Sequence, residues 1–396
     1  MTKSKCINDH LFDKCKYVKK LPTVEIDLDK PPSLRWKPLI DHKDVDHNSI
    51  IVFARSYTDD IFEFYGFPRI SESESYVIIA IKSFIFFMFS IIALNFEYYN
   101  DLIALAKAFN IHPGELFIAN ILYEFLAGCT SFICVNKDDK LKRLMHVRTL
   151  DWPMIKLNKH STHFIFKKDK KILYHNIGWP GQLGCMTAVR QGCFSISLNA
   201  RYPIYKSTFT SNLIVKLILL FRKSVKEETV EERDYIISLI DSAVASVLQK
   251  IHLMTMNAWT ASSIIRHVCE TYNNYEDCVK FLIENKTVCP CYFIVTGTNR
   301  HEGIIIEKGY HHLKIHKLDE TKHNFIIQTN DDIDLIKNEL YNSTSSTSPI
   351  DFNSTDRYCN TFEYLINAEG SLTMEEAANL ITTSFKQGGV RMVIKI

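Results

Sequence analysis

The spacing of apolar positions changes several times along this chain, and each change predicts a different kind of element. Residues 21–38, LPTVEIDLDKPPSLRWKP, read as extended and proline-rich, with the Pro31–Pro32 pair barring a helix. Residues 76–94, YVIIAIKSFIFFMFSIIAL, form an apolar run interrupted only by Lys82 and serines. Its length is close to the ~20 residues that span a bilayer. The run predicts a very apolar helix that packs within the protein or lies on a membrane surface, with a spanning helix as the alternative.

From 99 to 127 apolar residues return at helical spacing, with a break at His112-Pro113-Gly114-Glu115. Pro113 suits a first helical turn, and Glu115 is favourable beside the positive end of the helix dipole. The period then shortens. Between 129 and 200 the runs TSFICV, LMHV, THFIF, KILYHN, CMTAV and CFSISL are divided by Lys/Asp or Gly turns, which predicts an antiparallel meander. Residues 211–286 revert to helical periodicity. Residues 291–328 again read as strands: YFIVTG, GIIIEK, HLKIHKL and NFIIQT. A Ser/Thr/Asn-rich loop fills 342–355, and Thr373-x-x-Glu376 caps a last helix. No internal repeat is visible. Strands, helices, strands and a helix make an α+β layout of packed layers.

The 396 residues allow one large domain or two ordinary ones, and 46% hydrophobic with 12% aromatic content is enough for a substantial core. The formal charge of +2 gives no nucleic-acid footprint. Walker, HExxH and Gly-rich dinucleotide motifs are absent from the sequence, and the residues call for no cofactor. The eleven cysteines are scattered, and CPC at 289–291 lacks zinc spacing. His311, His312, His316 and His323 lie in alternating, strand-like sequence and read as solvated or pairing histidines. Six lysines up to Lys20 come without the apolar h-region of a cleavable signal peptide. Asn285, Asn342 and Asn353 each open an N-x-Ser/Thr sequon, which matters only in the secretory pathway.

One position carries candidate chemistry. In GCTSFICVNKDDKLKRLMHVRTLDW, Cys129 sits where an apolar helix gives way to a strand, and Arg148-x-x-Asp151 closes the next strand. A thiol becomes a good nucleophile when a base takes its proton. If the chain is cut just before Cys129, the freed α-amine, with a pKa of about 7.7–8.0, is that base. Such an amine needs a carboxylate to hold it and a cation to tune it. Asp151 and Arg148 suit these tasks if the two strands pair as a hairpin around Asn136–Lys142. On these residues alone, a buried structural thiol is the favoured reading of Cys129.

Six blocks in order add to this reading: IDLDKPPSLRW (26–36), IHPGELFIANILYEFLAGCTS (111–131), HVRTLDW (146–152), PGQLG…GCFSISLNAR (180–201), CPCYFIVTGTNRHEGIII (289–306) and KLDETKHNFIIQTND (317–331). Through them the chain resembles the acid ceramidase and N-acylethanolamine acid amidase family of N-terminal-nucleophile cysteine hydrolases. The resemblance implies a four-layer αββα sandwich with a helical N-terminal subunit. It implies a precursor cut at Gly128–Cys129 into residues 1–128 (alpha, with the apolar helix 76–94) and residues 129–396 (beta, catalytic). By the same resemblance Cys129 is the nucleophile, Arg148 and Asp151 flank it, and Asn330 donates to the oxyanion. Arg357 is the match for a later family arginine. Cys359 with Cys6 or Cys15 would form the family's disulfide, which needs an oxidising compartment. The implied activity is hydrolysis of ceramide or another N-acyl lipid at a membrane surface, and the implied compartment is the lysosome.

The chain departs from the family pattern in places. The family's Asn-Glu-Arg triplet is Asn199-Ala200-Arg201 here, and a methyl accepts no hydrogen bond. The nucleophile hairpin and the loop before Arg357 are longer, and the sequence reaches Ile396 without a cysteine-containing tail. A weakened, lipid-binding relative is therefore the competing reading.

Overall fold

A computed structural model describes residues 21–45, 96–121, 128–150, 160–201, 258–309, 312–336, 354–383 and 390–395. The apolar run 76–94 lies outside them. Among the described residues no helix is long and apolar enough to cross a membrane.

Two sheets face each other. The first has eight strands in the order β1 (Thr23–Asp27), β4 (Thr162–Lys168), β5 (Lys171–Gly178), β6 (Thr187–Arg190), β7 (Phe194–Ala200), β8 (Cys291–Gly297), β9 (Gly303–Lys308) and β10 (Leu313–Lys317). The second runs β11 (Phe325–Gln328), β2 (Cys129–Asn136), β3 (Leu144–Leu150), β13 (Val390–Lys395), with β12 (Ser371–Leu372) also pairing with β2. Helices α5 (Ala261–Thr271) and α6 (Tyr275–Glu284) cover the outer face of the first sheet. Helices α7 (Ser354–Asn367) and α8 (Met374–Thr383) cover the second. This is the expected αββα sandwich.

Alternation along the strands assigns the layers. On β2 and β3, Phe132, Cys134, Met145 and Val147 pack towards α7 and α8 with Leu365, Leu380 and Ile381. Ile133, Val135 and Leu144 face the other sheet and meet Tyr292, Ile294 and Ile305. With both faces covered, β2 is buried at every position, which is why CTSFICV reads as a nearly unbroken apolar run.

Two readings are corrected by the structure. The segment 129–200 is not one meander: β2 and β3 belong to one sheet and β4 to β7 to the other. Alternation marks which face of a strand is apolar, but both sheets turn apolar faces inward. The Pro31–Pro32 pair starts a helix rather than barring one. Pro31 is the N-cap of α1 (Pro32–Arg35), and Pro38 lies in the first turn of α2 (Lys37–Ile40), where a missing N–H costs nothing. The extended reading of residues 21–38 holds for β1, which pairs in parallel with β4 as the edge of the larger sheet. By contrast, the Thr373–Glu376 capping box forms in both directions, at 3.1 and 2.7 Å. Pro113 opens α4 (Pro113–Ile121), and β2 and β3 pair as the expected hairpin.

A buried ionic knot joins the segment before Cys129 to the rest. Arg266 of α5 is fully buried. It donates to Asp101 of α3 (Phe96–Phe109) at 2.7 Å and to Glu270 at 2.7 Å, and lies 4.2 Å from the centre of the Tyr98 ring. Asp101 also accepts from Trp36 at 2.8 Å and pairs with Arg35. Removing Arg266 takes the central cation from the knot, leaving Asp101 to Arg35 and Trp36 and Glu270 to the hydroxyls of Tyr98 and Tyr174. We predict that Arg266→Met destabilises the fold by about 3–5 kcal/mol in urea unfolding. A loss under about 1 kcal/mol would mean that these remaining partners satisfy Asp101 and Glu270.

Candidate active site

β2 begins at Cys129, which is completely buried. Three residues from distant parts of the chain converge on it. Arg357 of α7 donates from Nη1 to the Cys129 carbonyl at 2.6 Å and to Thr130 Oγ1 at 2.7 Å, and from Nη2 to Asn330 Oδ1 at 2.7 Å. The Cys129 backbone N–H also donates to Asn330 Oδ1, at 2.8 Å. Arg148 of β3 reaches Cys129 Sγ with Nη2 at 3.6 Å and donates to the Leu198 carbonyl at 2.9 Å. Cys129, Arg148, Asn330 and Arg357 thus form one cluster. Asp151 lies outside the described residues.

Asn330 presents its acceptor end to Cys129. Two donors meet at Oδ1 while Nδ2 donates to the Ala200 carbonyl at 2.8 Å, which fixes the orientation of the carboxamide. Residues 329–332, just after β11, are held from several sides. Asn199 Nδ2 donates to the carbonyls of Gln328 and Thr329, at 2.9 and 3.3 Å. Ser354 Oγ accepts from the N–H groups of Asn330 and Asp331, at 3.0 and 3.2 Å. Arg201 grips Asp332 with two bonds of 2.6 and 2.7 Å, and Tyr292 donates to the same carboxylate at 2.5 Å.

All three members of the Asn199-Ala200-Arg201 triplet therefore act on this loop. Ala200 acts through its carbonyl, which any residue supplies, and its methyl joins Phe194, Ile196 and Leu198 in the large apolar core. Asn199 and Arg201 were noted in the sequence as members of the family triplet around Ala200, and Ser354 was not singled out. The only signal for the first two was their place in a matched block, and Ser354 was hidden in a polar tract.

Beneath the site a hydrogen-bonded chain runs between the sheets. Ser195 and Ser197 flank the His146 ring at 2.9 and 2.8 Å, Ser197 meets Ser131 at 3.0 Å, and Ser131 donates to Asn199 at 2.8 Å. Burial, reinforced by the nearby Arg148 charge, lowers the pKa of His146 to about 3. The ring is therefore neutral and spends both nitrogens on serines, so it is a poor general base for Cys129.

The other sequence candidates fall away from this cluster. His312 and His316 both pair with Glu307, at 2.6 and 3.1 Å, and His323 stacks on Phe325. Cys359 is half-buried on α7, and its expected partners Cys6 and Cys15 lie outside the described residues, as do Asn342 and Asn353. Asn285, the remaining sequon, spends its side-chain Nδ2 on the Phe281 carbonyl at 2.9 Å.

A buried cysteine opening an inner strand of an αββα sandwich is the arrangement of the N-terminal-nucleophile hydrolase fold. Comparison with known proteins finds the following similarities. A family model described as the beta subunit of N-acylethanolamine-hydrolyzing acid amidase matches residues 19–67. An N-acylethanolamine-hydrolyzing acid amidase of Caenorhabditis elegans is 25% identical over 297 residues, or 72% of this chain and 66% of that protein. Acid ceramidase of Bos taurus is 27% identical over 245 residues, or 58% of this chain and 52% of that protein. The chain therefore spans about half to two thirds of the length of these curated relatives. A solved structure of a Caenorhabditis elegans N-acylethanolamine-hydrolyzing acid amidase ortholog aligns with TM-score 0.43 and 20% identity, over 64% of this chain and 86% of that one.

The neutral His146 has a measurable consequence. Unfolded, it titrates near its ordinary 6.5, and folded near 3. Between those values the unfolded chain binds the extra proton, so stability falls as pH drops from about 6.5 towards 3. Replacing it by glutamine, which keeps polar atoms for the two serines, should flatten the pH dependence of urea unfolding. The slope should fall by up to ~1.4 kcal/mol per pH unit. An unchanged slope would show that His146 is charged in the fold.

Proposed function

We propose that this chain is a cysteine amidohydrolase that cuts itself between Gly128 and Cys129 and then hydrolyses the amide of an N-acyl lipid, ceramide being the favoured substrate. The observation that carries the reading is the convergence of Arg148, Asn330 and Arg357 on the thiol, nitrogen and carbonyl of one residue. A merely structural thiol has no need of two buried guanidiniums and a carboxamide.

In the uncut chain the thiol attacks the Gly128 carbonyl, the acyl group passes from nitrogen to sulfur, and water splits the thioester. The nitrogen that Asn330 Oδ1 holds as an amide then becomes a free α-amine in the same place. That amine takes the proton of Cys129, with Asp151 assigned to anchor its charge, and Arg148 beside Sγ stabilises the thiolate. The thiolate attacks the lipid carbonyl. We assign Asn330 Nδ2, together with a backbone N–H, to the oxyanion. The amine protonates the departing nitrogen, and water releases the fatty acid. An oxidising, acidic lumen such as the lysosome is the compartment we infer, with Cys359 linked to Cys6 or Cys15 and the run 76–94 meeting the membrane.

N-acylethanolamines are the neighbouring substrate, since the same machinery acts on either amide. The reading as a weakened relative is favoured by Ala200, which gives the site a carbonyl but no carboxylate. Ala200→Glu separates the two. A rise of about tenfold in fatty-acid release from a fluorescent ceramide marks a weakened enzyme, whereas no change or a slower rate marks a complete site.

The self-cleavage is checked by intact mass. Native chain should give two fragments divided before Cys129, and Cys129→Ala a single chain of 45.9 kDa. A native chain that stays whole on long acidic incubation would remove the α-amine base from the mechanism. Asn330→Ala should slow turnover by about 10²–10³. A change under about threefold would show that the oxyanion is held by other donors.

A further inference from the structure

Arg148 serves two places at once. Its Nη2 lies 3.6 Å from Cys129 Sγ, and the same residue lines a small cavity together with Ser161. Leu150, Ile177, Trp179 and Met186 are the apolar walls, and Leu150 is the β-ladder partner of Cys129. The cavity measures about 10 Å³, the space of a single water.

Arg148 is 1% exposed and Ser161 4% exposed, yet Arg148 Nε and Ser161 Oγ have no hydrogen-bond partner among the described residues. Buried polar atoms are normally paired, so two orphans on the residues of one water-sized cavity mark a water site. A water matches them without remainder. One of its lone pairs accepts from the arginine Nε–H, and one of its hydrogens goes to the serine oxygen. A second lone pair is then free to attack, and a second hydrogen is free to be given up.

We propose that this water is the one that splits the Cys129 thioester, and that Ser161 is the positioning residue that orients it. This rests on the amidase reading of the site. The water oxygen bonds to the acyl carbon as the carbon–sulfur bond breaks. The free hydrogen passes to the Cys129 α-amine and from there to the departing sulfur, so that a carboxylic acid and a thiol result. The thioester formed on Gly128 during self-cleavage consumes a water in the same way, and one water site serves both reactions. The planar guanidinium that holds the water also stands beside the sulfur, which fixes the water against the bond it breaks.

The test separates acylation from deacylation with N-dodecanoyl aminomethylcoumarin, which releases coumarin as Cys129 is acylated. Variant chains are first cut fully with hydroxylamine, a nucleophile that attacks a thioester without a water site, and then freed of it. Ser161→Ala should keep the initial burst of coumarin and lower kcat by about tenfold or more, with acylated Cys129 accumulating in intact mass spectra. KM should fall with kcat and leave kcat/KM near the native value, because acylation precedes the slowed step. Ser161→Gly should do the same. Added hydroxylamine should restore turnover in both variants, and Ser161→Thr should behave as the native chain. A fall in kcat/KM along with kcat, no acyl group on Cys129, or no rescue by hydroxylamine overturns the proposal. A native chain that is neither cut nor acylated sinks the amidase reading itself. Native turnover that Ser161→Ala and Ser161→Gly leave unchanged sinks the water site alone.

Discussion

The hydrogen bond from the Cys129 nitrogen to Asn330 Oδ1 fixes the position of the group on which the proposed chemistry depends, and Asn330 sits on a loop with no regular structure of its own. The precision comes from outside the loop. Asn199 and Ala200 of β7, Arg201 just beyond it and Ser354 of α7 hold successive parts of residues 328–332, and Arg357 joins the loop to the Cys129 carbonyl. Helix α7 and strand β7 belong to opposite layers of the sandwich. The spacing of the layers is therefore what sets the geometry around Cys129, and small changes in packing act on the site directly.

The space between the sheets is divided in the same way. One part is apolar, built from Ile133, Val135, Ile294 and Ile305. The part under Cys129 is polar, and small serines bring its strands within hydrogen-bonding reach of His146 and Asn199. A buried polar network is tolerable when its members are paired, and it then specifies one arrangement of the sheets.

The sequence revealed the periods of the elements far better than their partners. The strand runs between 129 and 200 correspond to real strands, but nothing in their alternation says that β2 and β3 leave the sheet that β4 to β7 complete. β13 was missed, although VRMVIK is rich in strand-forming residues, because its pairing with β3 joins Val390 to Leu150, far apart in sequence. At the site, the matched blocks picked out Cys129, Arg148 and Asn330, and Arg357 emerged despite a longer loop before it. Ser354 did not stand out, and Asn199 and Arg201 did so only as members of the family triplet, because their roles exist as hydrogen bonds between segments far apart in sequence.

The parallel strand β1 has a consequence for how the protein survives damage. Its pairing with β4, like the contact between Asp101 and Arg266, joins chain that precedes Cys129 to chain that follows it. In one continuous polypeptide these contacts close a loop, and the ends meet again each time the molecule opens. After a cut before Cys129 the same contacts hold two separate molecules, and their reunion depends on dilution. The intact chain can recover from unfolding alone, whereas the cut form survives only as long as it does not come apart, and its lifetime becomes a matter of rates rather than equilibrium.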